Sequence, residues 1–173
     1  TPPQLFFSFK TSVGGQYKLV ATQDSGYQVS GGYSLMMAKA PYTSGAEADG
    51  DGGLLVSGST RSESVTTGDM DVYTFNATAG NTILATMAES SGGWYFRPSL
   101  DLYDPQGNLV KSDWDSEVAS VAFTATKTGS YTLIAADDDR RSTGNYNLFL
   151  AKMPHTATGE ADGHGGPLSN GQT

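Results

Sequence analysis

Carboxylate side chains recur at alternate positions in a glycine-rich stretch of this chain. Glu47, Asp49 and Asp51 are separated by single small residues, so a bend in the loop would bring their oxygens together. Ca²⁺ takes about six to eight oxygen ligands and is often held by a flexible loop. The pattern is not an EF-hand, because Gly58 stands where that motif requires a bidentate glutamate. We expect either a calcium-binding loop here or a solvated acidic linker.

Two further acidic groups compete for the same ion. One has two aspartates at alternate positions, and the other has three in a row. Like charges this close repel one another unless a cation, or the following Arg140 and Arg141, offsets them. A polar hairpin tip explains the triple aspartate equally well, so the choice between the groups stays open. The additional candidates are Asp69, Asp71, Asp137, Asp138 and Asp139.

An aromatic cluster lies outside the segments that alternate in polarity. Exposed aromatic side chains on a β-protein stack on sugar rings or contact a protein partner. Aromatic residues in loops also fold back and cap the end of a sandwich. We therefore expect either binding of a polysaccharide or matrix protein, or packing. The candidates are Trp94, Tyr95, Phe96 and Trp114.

Residues 57–153 lack the groups that most nucleophilic enzymes need. The chain has no Cys, and its two histidines, His155 and His164, both follow this stretch. Ser-His-Asp and Cys-His mechanisms therefore have no base within it. A carboxylate pair of the glycosidase type stays open, although no pair is singled out by its spacing. We expect a protein that is not an enzyme.

Composition narrows the class of partner and the location. Ten Lys and Arg oppose 18 Asp and Glu, which gives a net charge of −8 and a pI near 4.5. Such a chain is a poor ligand for nucleic acid, because phosphate binding needs basic patches. No run approaches the roughly 18 apolar residues of a membrane span. The acidic composition, rich in Gly, Ser and Thr, favours short strands joined by turns and an extracellular or cell-surface location.

The chain repeats part of its own sequence. The stretch from Tyr33 to Leu54 reappears from Tyr146 to Pro167 with about half of its positions identical, at an offset of 113 residues (146 − 33). An earlier stretch, Gly15 to Ala21, matches Gly129 to Ala135 at an offset of 114 (129 − 15). Similarity at a fixed period is typical of tandem modules.

Alternating polarity predicts strands on both sides of the repeat. Residues 1–42 are interpreted as the last part of a preceding repeat and 43–56 as a linker. Residues 57–153 form a complete sandwich of about eight strands, and 154–173 lead into a following repeat. The predicted strands are Leu5–Phe9, Gly15–Ala21, Val29–Ala38, Asp71–Ala77, Thr82–Ala88, Val118–Thr124, Gly129–Ala136 and Gly144–Lys152, with a hairpin turned at Asp104-Pro-Gln-Gly107.

Several motifs in this module resemble those of bacterial pre-peptidase C-terminal (PPC) domains. They are Gly68-Asp-Met-Asp-Val-Tyr-Thr-Phe75, Asp104-Pro-Gln-Gly107, Thr128-Gly-Ser-Tyr-Thr-Leu133 and Gly144-Asn-Tyr-Asn-Leu148. The resemblance covers about residues 60–153 and, through the repeat, 5–40. It implies an all-β, jelly-roll-like antiparallel β-sandwich that is secreted and attached to enzymes or strung along surface proteins. It also implies stabilisation by calcium and, in some members, binding of carbohydrate or collagen.

The tandem interpretation makes two structural predictions. Tyr33 and Tyr146 should have similar surroundings, and three terminal strands without sandwich partners should expose an apolar face. A neighbouring copy, the complete module or a missing half-module would have to cover that face, so the chain should self-associate. The residues concerned are Leu5, Phe6, Phe7, Phe9, Tyr17, Leu19, Leu35 and Met37.

These features favour a structural or adhesive repeat of a secreted surface protein or self-assembling fibre. We expect its partners to be copies of itself or adjacent repeats, and Ca²⁺ to be the ion that stabilises it. The alternative is an accessory module of a secreted hydrolase that binds carbohydrate or matrix protein. Ordered polymers distinguish the first function, and saturable ligand binding by a monomer distinguishes the second.

Overall fold

The computed structural model describes residues 5, 7–22, 30–42 and 49–154. The chain divides into two compact units, Thr1–Ser34 and Leu35–Thr173. The sequence candidates Glu47, His155 and His164 lie outside the described residues, as does Phe6. In the described part of the chain, no helix has the length and apolar character needed to cross a membrane.

The second unit contains an all-β sandwich of nine strands. The predicted strands from Asp71 to Lys152 are confirmed, with ends that differ by no more than a few residues. Two strands were not predicted, β1 and β2, because β1 is very short and β2 carries only one apolar residue, Val65. The strands are β1 Gly53–Leu54, β2 Ser59–Val65, β3 Met70–Ala77, β4 Thr82–Ser91, β5 Pro98–Tyr103, β6 Leu109–Trp114, β7 Val118–Thr124, β8 Gly129–Asp137 and β9 Gly144–Met153.

The strands form two sheets that pack face to face. One sheet has the order β1-β3-β8-β5-β6 and the other β2-β9-β4-β7. All pairings are antiparallel except that of β1 with β3. In β4 and β9 the buried and more exposed residues alternate, as expected for a sheet with one solvated face. The core between the sheets is aromatic and aliphatic, and its largest fully buried side chains include Tyr73, Tyr131, Tyr146, Phe75 and Phe96.

Strand β8, like the middle of β3, is buried on both faces. Every residue from Tyr131 to Asp137 is buried. The segment before the sandwich contributes to this cover, since the Tyr42 amide donates to Thr132 Oγ1 over 3.0 Å. Close by, a side chain on Gly107 would meet the Ala40 carbonyl oxygen at 2.6 Å. Residues 40–42 therefore lie against the outer face of the β8 sheet and the tip of the β5–β6 hairpin.

The structure corrects the prediction of strands before residue 43. None of the described residues in 5, 7–22 and 30–42 belongs to a strand. The two tyrosines that the repeat aligns also differ, because Tyr146 is fully buried whereas Tyr33 is 76% exposed. A strand needs a hydrogen-bonded neighbour. The counterparts of these residues find theirs in β2 to β5, and no equivalents of β2 to β5 lie among the described residues before 43. Tandem folding is therefore not shown, although the apolar residues are exposed as predicted.

Candidate metal centre and aromatic loop

Two of the candidate aspartates are fixed by the turn that begins β3. The Asp69 amide donates to the Thr66 carbonyl oxygen over 3.1 Å, and the Thr66 amide returns a bond to Asp69 Oδ2 over 3.3 Å. Gly68, with a φ of 88°, supplies the left-handed residue that this turn requires. Asp69 and Asp71 are both buried, and they enter the sandwich at the same end.

A pair of tyrosine hydroxyls orients Asp71. Tyr146 on β9 donates its hydroxyl hydrogen bond to Asp71 Oδ2, and the Tyr73 and Tyr146 hydroxyl oxygens lie 2.6 Å apart. Burial, followed by the nearby Tyr73 hydroxyl and Asp71 carboxylate, raises the pKa of Tyr146 far above its usual value. Burial also raises the pKa of Tyr73. Both tyrosines therefore stay protonated at neutral pH and act as hydrogen-bond donors.

The glycine-rich loop before β1 brings a third carboxylate to this end. Gly50 and Gly52 have φ angles of 99° and 78°, a left-handed backbone that glycine adopts without strain. Asp49, Asp69 and Asp71 each place a carboxylate oxygen within 4.8 Å of the others. Three negative charges at this distance repel strongly in a partly buried site. Carboxylate oxygens are the ligands of hard cations such as Ca²⁺, so the residues present fit that ion.

Two further carboxylates, those of Asp51 and Glu63, lie close to these three. Burial, followed by a hydrogen bond to Asp51 and the charge of Asp51, raises the pKa of Glu63 on β2. Arg61 opposes this shift from 3.9 Å. Asp51 and Glu63 line an open pocket of about 300 Å³ together with Asn145 and Tyr146. Asp51 thus faces Glu63 and lies outside the group formed by Asp49, Asp69 and Asp71.

The three consecutive aspartates form the β8–β9 turn. The Asp137 carboxylate accepts hydrogen bonds from the backbone amides of residues 97, 141 and 142 over 2.9 to 3.0 Å. Burial alone would raise its pKa, but these donors hold the value below the usual range. Asp138 forms an ion pair with Arg97 over 3.2 Å. The hydrogen bond that a protonated Asp139 donates to the Asp137 carboxylate, followed by burial, raises the pKa of Asp139. These contacts support the hairpin explanation of this cluster.

The aromatic candidates divide into exposed and buried members. Trp94 is fully exposed and Tyr95 is 84% exposed, in the loop between β4 and β5. Trp114 on β6 is half exposed, with the Arg97 guanidinium 4.0 Å from the centre of its ring. Phe96 is buried, and a side chain on Gly144 would collide with its ring. Phe96 thus follows the packing alternative and not the ligand-binding one: it packs in the core and anchors the loop that presents Trp94 and Tyr95.

Known structures that match part of this chain include a PPC domain. The pre-peptidase C-terminal domain of a collagenase from Bacillus anthracis shares 22% sequence identity, covers 58% of this chain and 94% of its own, and has a TM-score of 0.49. PliG of Aeromonas hydrophila, a periplasmic inhibitor of g-type lysozyme, shares 15% identity, covers 60% of this chain and 96% of its own, and also has a TM-score of 0.49. No family model and no curated protein matches.

Two residues beside Asp69 and Asp71, Glu63 and Tyr146, were not among the site residues predicted from the sequence. Glu63 lies in the polar run Ser62-Glu63-Ser64, which gives no sign of a partly buried carboxylate. Tyr146 was identified as a marker of the repeat, although its hydroxyl bond to Asp71 was not foreseen. The signal that could have found this bond is the alternation of Asp71, Tyr73 and Phe75, which places an acidic residue on the core face of β3.

Proposed function

We propose that this chain is a non-catalytic β-sandwich repeat of a secreted or cell-surface protein, with a structural or adhesive role such as the subunit of a fibre. One observation carries the proposal. A complete sandwich is preceded by a second copy of its own last third, and the apolar residues of that copy are exposed. Repeats that bury such surfaces against their neighbours are the basis of extended arrays.

Negative-stain microscopy tests the structural role. We expect a protein of two or more complete repeats to form ordered rods or fibres at micromolar concentration. Particles that stay globular and separate at all concentrations would contradict a fibre-forming role. Catalysis is a separate question, and turnover of any glycan or peptide substrate by the purified chain would contradict the non-catalytic role.

Calcium held by Asp49, Asp69 and Asp71 is the second part of the proposal. Asp69 and Asp71 belong to the sandwich, whereas Asp49 lies in the loop that precedes it. An ion shared by the three would fix that loop to the start of β3 and offset their repulsion. Ligand binding to the folded state alone raises stability by mass action.

Thermal unfolding with 1 mM calcium chloride and with a chelator tests this part. We expect a higher Tm with calcium, and a loss of most of that difference in Asp49→Asn. Asp49 is exposed, so this variant should fold. Glu117→Gln is the matched control, because it removes one exposed negative charge from the β6–β7 connection and should keep the full calcium response. A wild-type Tm that is equal in calcium and chelator would exclude the site.

The aromatic loop supports a second candidate function, an accessory module that binds polysaccharide or matrix protein. Trp94 and Tyr95 project into solvent, as sugar-stacking residues do. The chain has two tryptophans, so Trp114→Phe isolates the fluorescence of Trp94. Saturable quenching by one member of a polysaccharide panel, lost in Trp94→Ala, would favour this function. Unchanged fluorescence throughout the panel would argue against polysaccharide binding by this loop.

A further inference from the structure

The internal repeat shows which residues of the first segment, residues 5–42, should be buried in a complete module. Apolar residues at alternate positions in 5–37 have counterparts with no more than 1% exposure in β7, β8 and β9, yet they are themselves largely exposed. The offset is 114 residues up to Leu19 and 113 from Tyr33 onward. The pairs are Leu5 with Ala119, Phe7 with Val121, Tyr17 with Tyr131, Leu19 with Leu133, Tyr33 with Tyr146, Leu35 with Leu148 and Met37 with Leu150.

The cover of those counterparts comes from one continuous part of the chain. Strand β8 lies between β3 and β5, and β9 lies between β2 and β4. The hydroxyl of Tyr146 bonds to Asp71, which is also on β3. All these partners fall between Gly53 and Trp114, so β1 to β6 form one half of the sandwich and β7 to β9 the other.

The described residues contain more segments of the β7–β9 type than of the β1–β6 type. The sequence carries two sets of residues of the β7–β9 type, 5–42 and 118–153, but residues 49–116 are the single set of the β1–β6 type in the described part. That set is occupied by β7 to β9 of its own module.

We infer that residues 7–22 and 30–42 bind a half-module of this same repeat, equivalent to β1 to β6 and without its own last three strands. The inference rests on the proposed structural function and specifies the partner. On binding, residues 15–21 become the strand equivalent to β8, and Tyr33 donates its hydroxyl hydrogen bond to the aspartate equivalent to Asp71. Leu35 and Met37 enter the new core, as Leu148 and Leu150 do in the complete module.

Two neighbouring methionines separate this inference from general stickiness. Met37 corresponds to Leu150, which faces the core, whereas Met36 corresponds to Phe149 on the outer face of β9. Both methionines are exposed here, at 81% and 48%. A specific half-module buries Met37 and leaves Met36 outside, whereas unspecific association treats them alike.

A fusion protein with residues 49–116 joined directly to Pro3 tests the inference. Pro3 corresponds to Glu117, so this join restores the register of the repeat. We expect deuterium exchange in 7–22 and 30–42 to slow by about tenfold or more relative to the original chain, because buried amides exchange only on opening. Met37→Gln in the fusion should restore fast exchange there, and Met36→Gln should not. The second module, 49–154, is an internal control whose exchange should not change.

Unprotected exchange in 7–22 and 30–42 of the soluble fusion would overturn the inference, as would equal effects of the two methionine variants. If the fusion is insoluble, the same fusion joined to a soluble carrier protein gives the same readout and the same two outcomes. Protection without ordered polymers would support the inference and contradict the fibre. Ordered polymers without protection would do the reverse.

Discussion

At the scale of single residues, several carboxylates that repel one another lie at the end of the sandwich that holds Asp69 and Asp71. Asp51 and Glu63 face each other in a pocket that also borders Tyr146, while Asp49, Asp69 and Asp71 crowd together beside it. Interiors tolerate such groups only when a proton, a counter-ion or a hydrogen bond offsets the charge. Tyr146 supplies the hydrogen bond to Asp71, and burial with Asp51 favours a proton on Glu63. The site is thus less stable when all five carboxylates are charged.

Glu63→Gln should therefore stabilise the sandwich at neutral pH. The pKa of Glu63 is raised in the folded state, so its stabilising proton is fully bound below the unfolded value of about 4.3 and is lost as pH rises through the folded value. A neutral amide mimics the protonated acid at every pH. We expect the Tm of this variant to exceed that of wild type by a few degrees at pH 7 and to match it near pH 4, by calorimetry.

Asp115→Asn serves as the comparison for Glu63→Gln. Backbone hydrogen bonds from Glu117 and Val118 lower the pKa of Asp115, which is the opposite direction. Its variant should therefore be no more stable than wild type at pH 7. A Glu63→Gln protein that is less stable than wild type at pH 7 would show that the carboxylate is charged and favourably paired, in conflict with this argument.

At the scale of elements, the β5–β6 hairpin depends on one buried aspartate. The Asp104 carboxylate accepts from the amides of Gln106 and Asn108 over 2.8 and 3.0 Å and from Lys127 Nζ over 2.6 Å. Burial alone would raise its pKa, but the bonds from Lys127, Asn108 and Gln106 lower it well below the usual range. The motif Asp104-Pro-Gln-Gly107 thus fixes the turn through a side chain that stays ionised.

Asp104→Asn should destabilise the module by about 1–3 kcal/mol at neutral pH, since bonds to a charged acceptor are lost. A lowered folded pKa contributes stability above the unfolded value of about 3.9, and this contribution disappears as pH falls through the folded value. The difference between wild type and variant in urea unfolding should therefore shrink between pH 5 and pH 2. A difference that is constant across this range would contradict an ionised Asp104.

Most elements could be predicted from sequence because their signals are local. Alternation marked β3, β4, β7, β8 and β9, and the Asp-Pro-x-Gly turn marked the hairpin. Strand β2 could not be found, because it is held by pairing with β9 along its whole length and has little apolar residue pattern of its own. The choice between binding and packing could not be made for Phe96 for a similar reason. Its burial depends on Gly144, which is distant in sequence and provides the space for its ring.

The candidate site was predictable only in its ingredients. The acidic residues were visible in the sequence, but their grouping depends on which loop meets which strand. Asp49 joins Asp69 and Asp71 because the loop before β1 runs beside β3, a parallel pairing that no local pattern announces. Asp137 is not available to this group, because its carboxylate accepts hydrogen bonds from the amides of residues 141 and 142 in its own turn and of residue 97 in the β4–β5 loop.

At the scale of the whole molecule, similar sequence signals give two outcomes in one chain. The stretch around Tyr146 forms β9, whereas the similar stretch around Tyr33 forms no strand among its described residues. The difference lies in the partners, because the outer strands and the Asp71 carboxylate are present for one copy and absent for the other in the described part. Alternating polarity thus predicts the capacity to form a strand, and the rest of the sheet decides whether it forms.

The exposed first segment should make the full chain associate without a fixed stoichiometry. When two chains meet, contact between their first segments covers only part of the exposed apolar side chains. Apolar surface therefore stays available for a further chain. In sedimentation velocity, we expect the weight-average coefficient to rise continuously with concentration from about 1 to 100 μM. The triple variant Phe7→Ser, Leu35→Ser, Met37→Ser should reduce this rise, while Leu54→Ser, an equally exposed apolar residue of the sandwich, should not. A single monomeric species at all concentrations would show that this segment hides its apolar residues in solution.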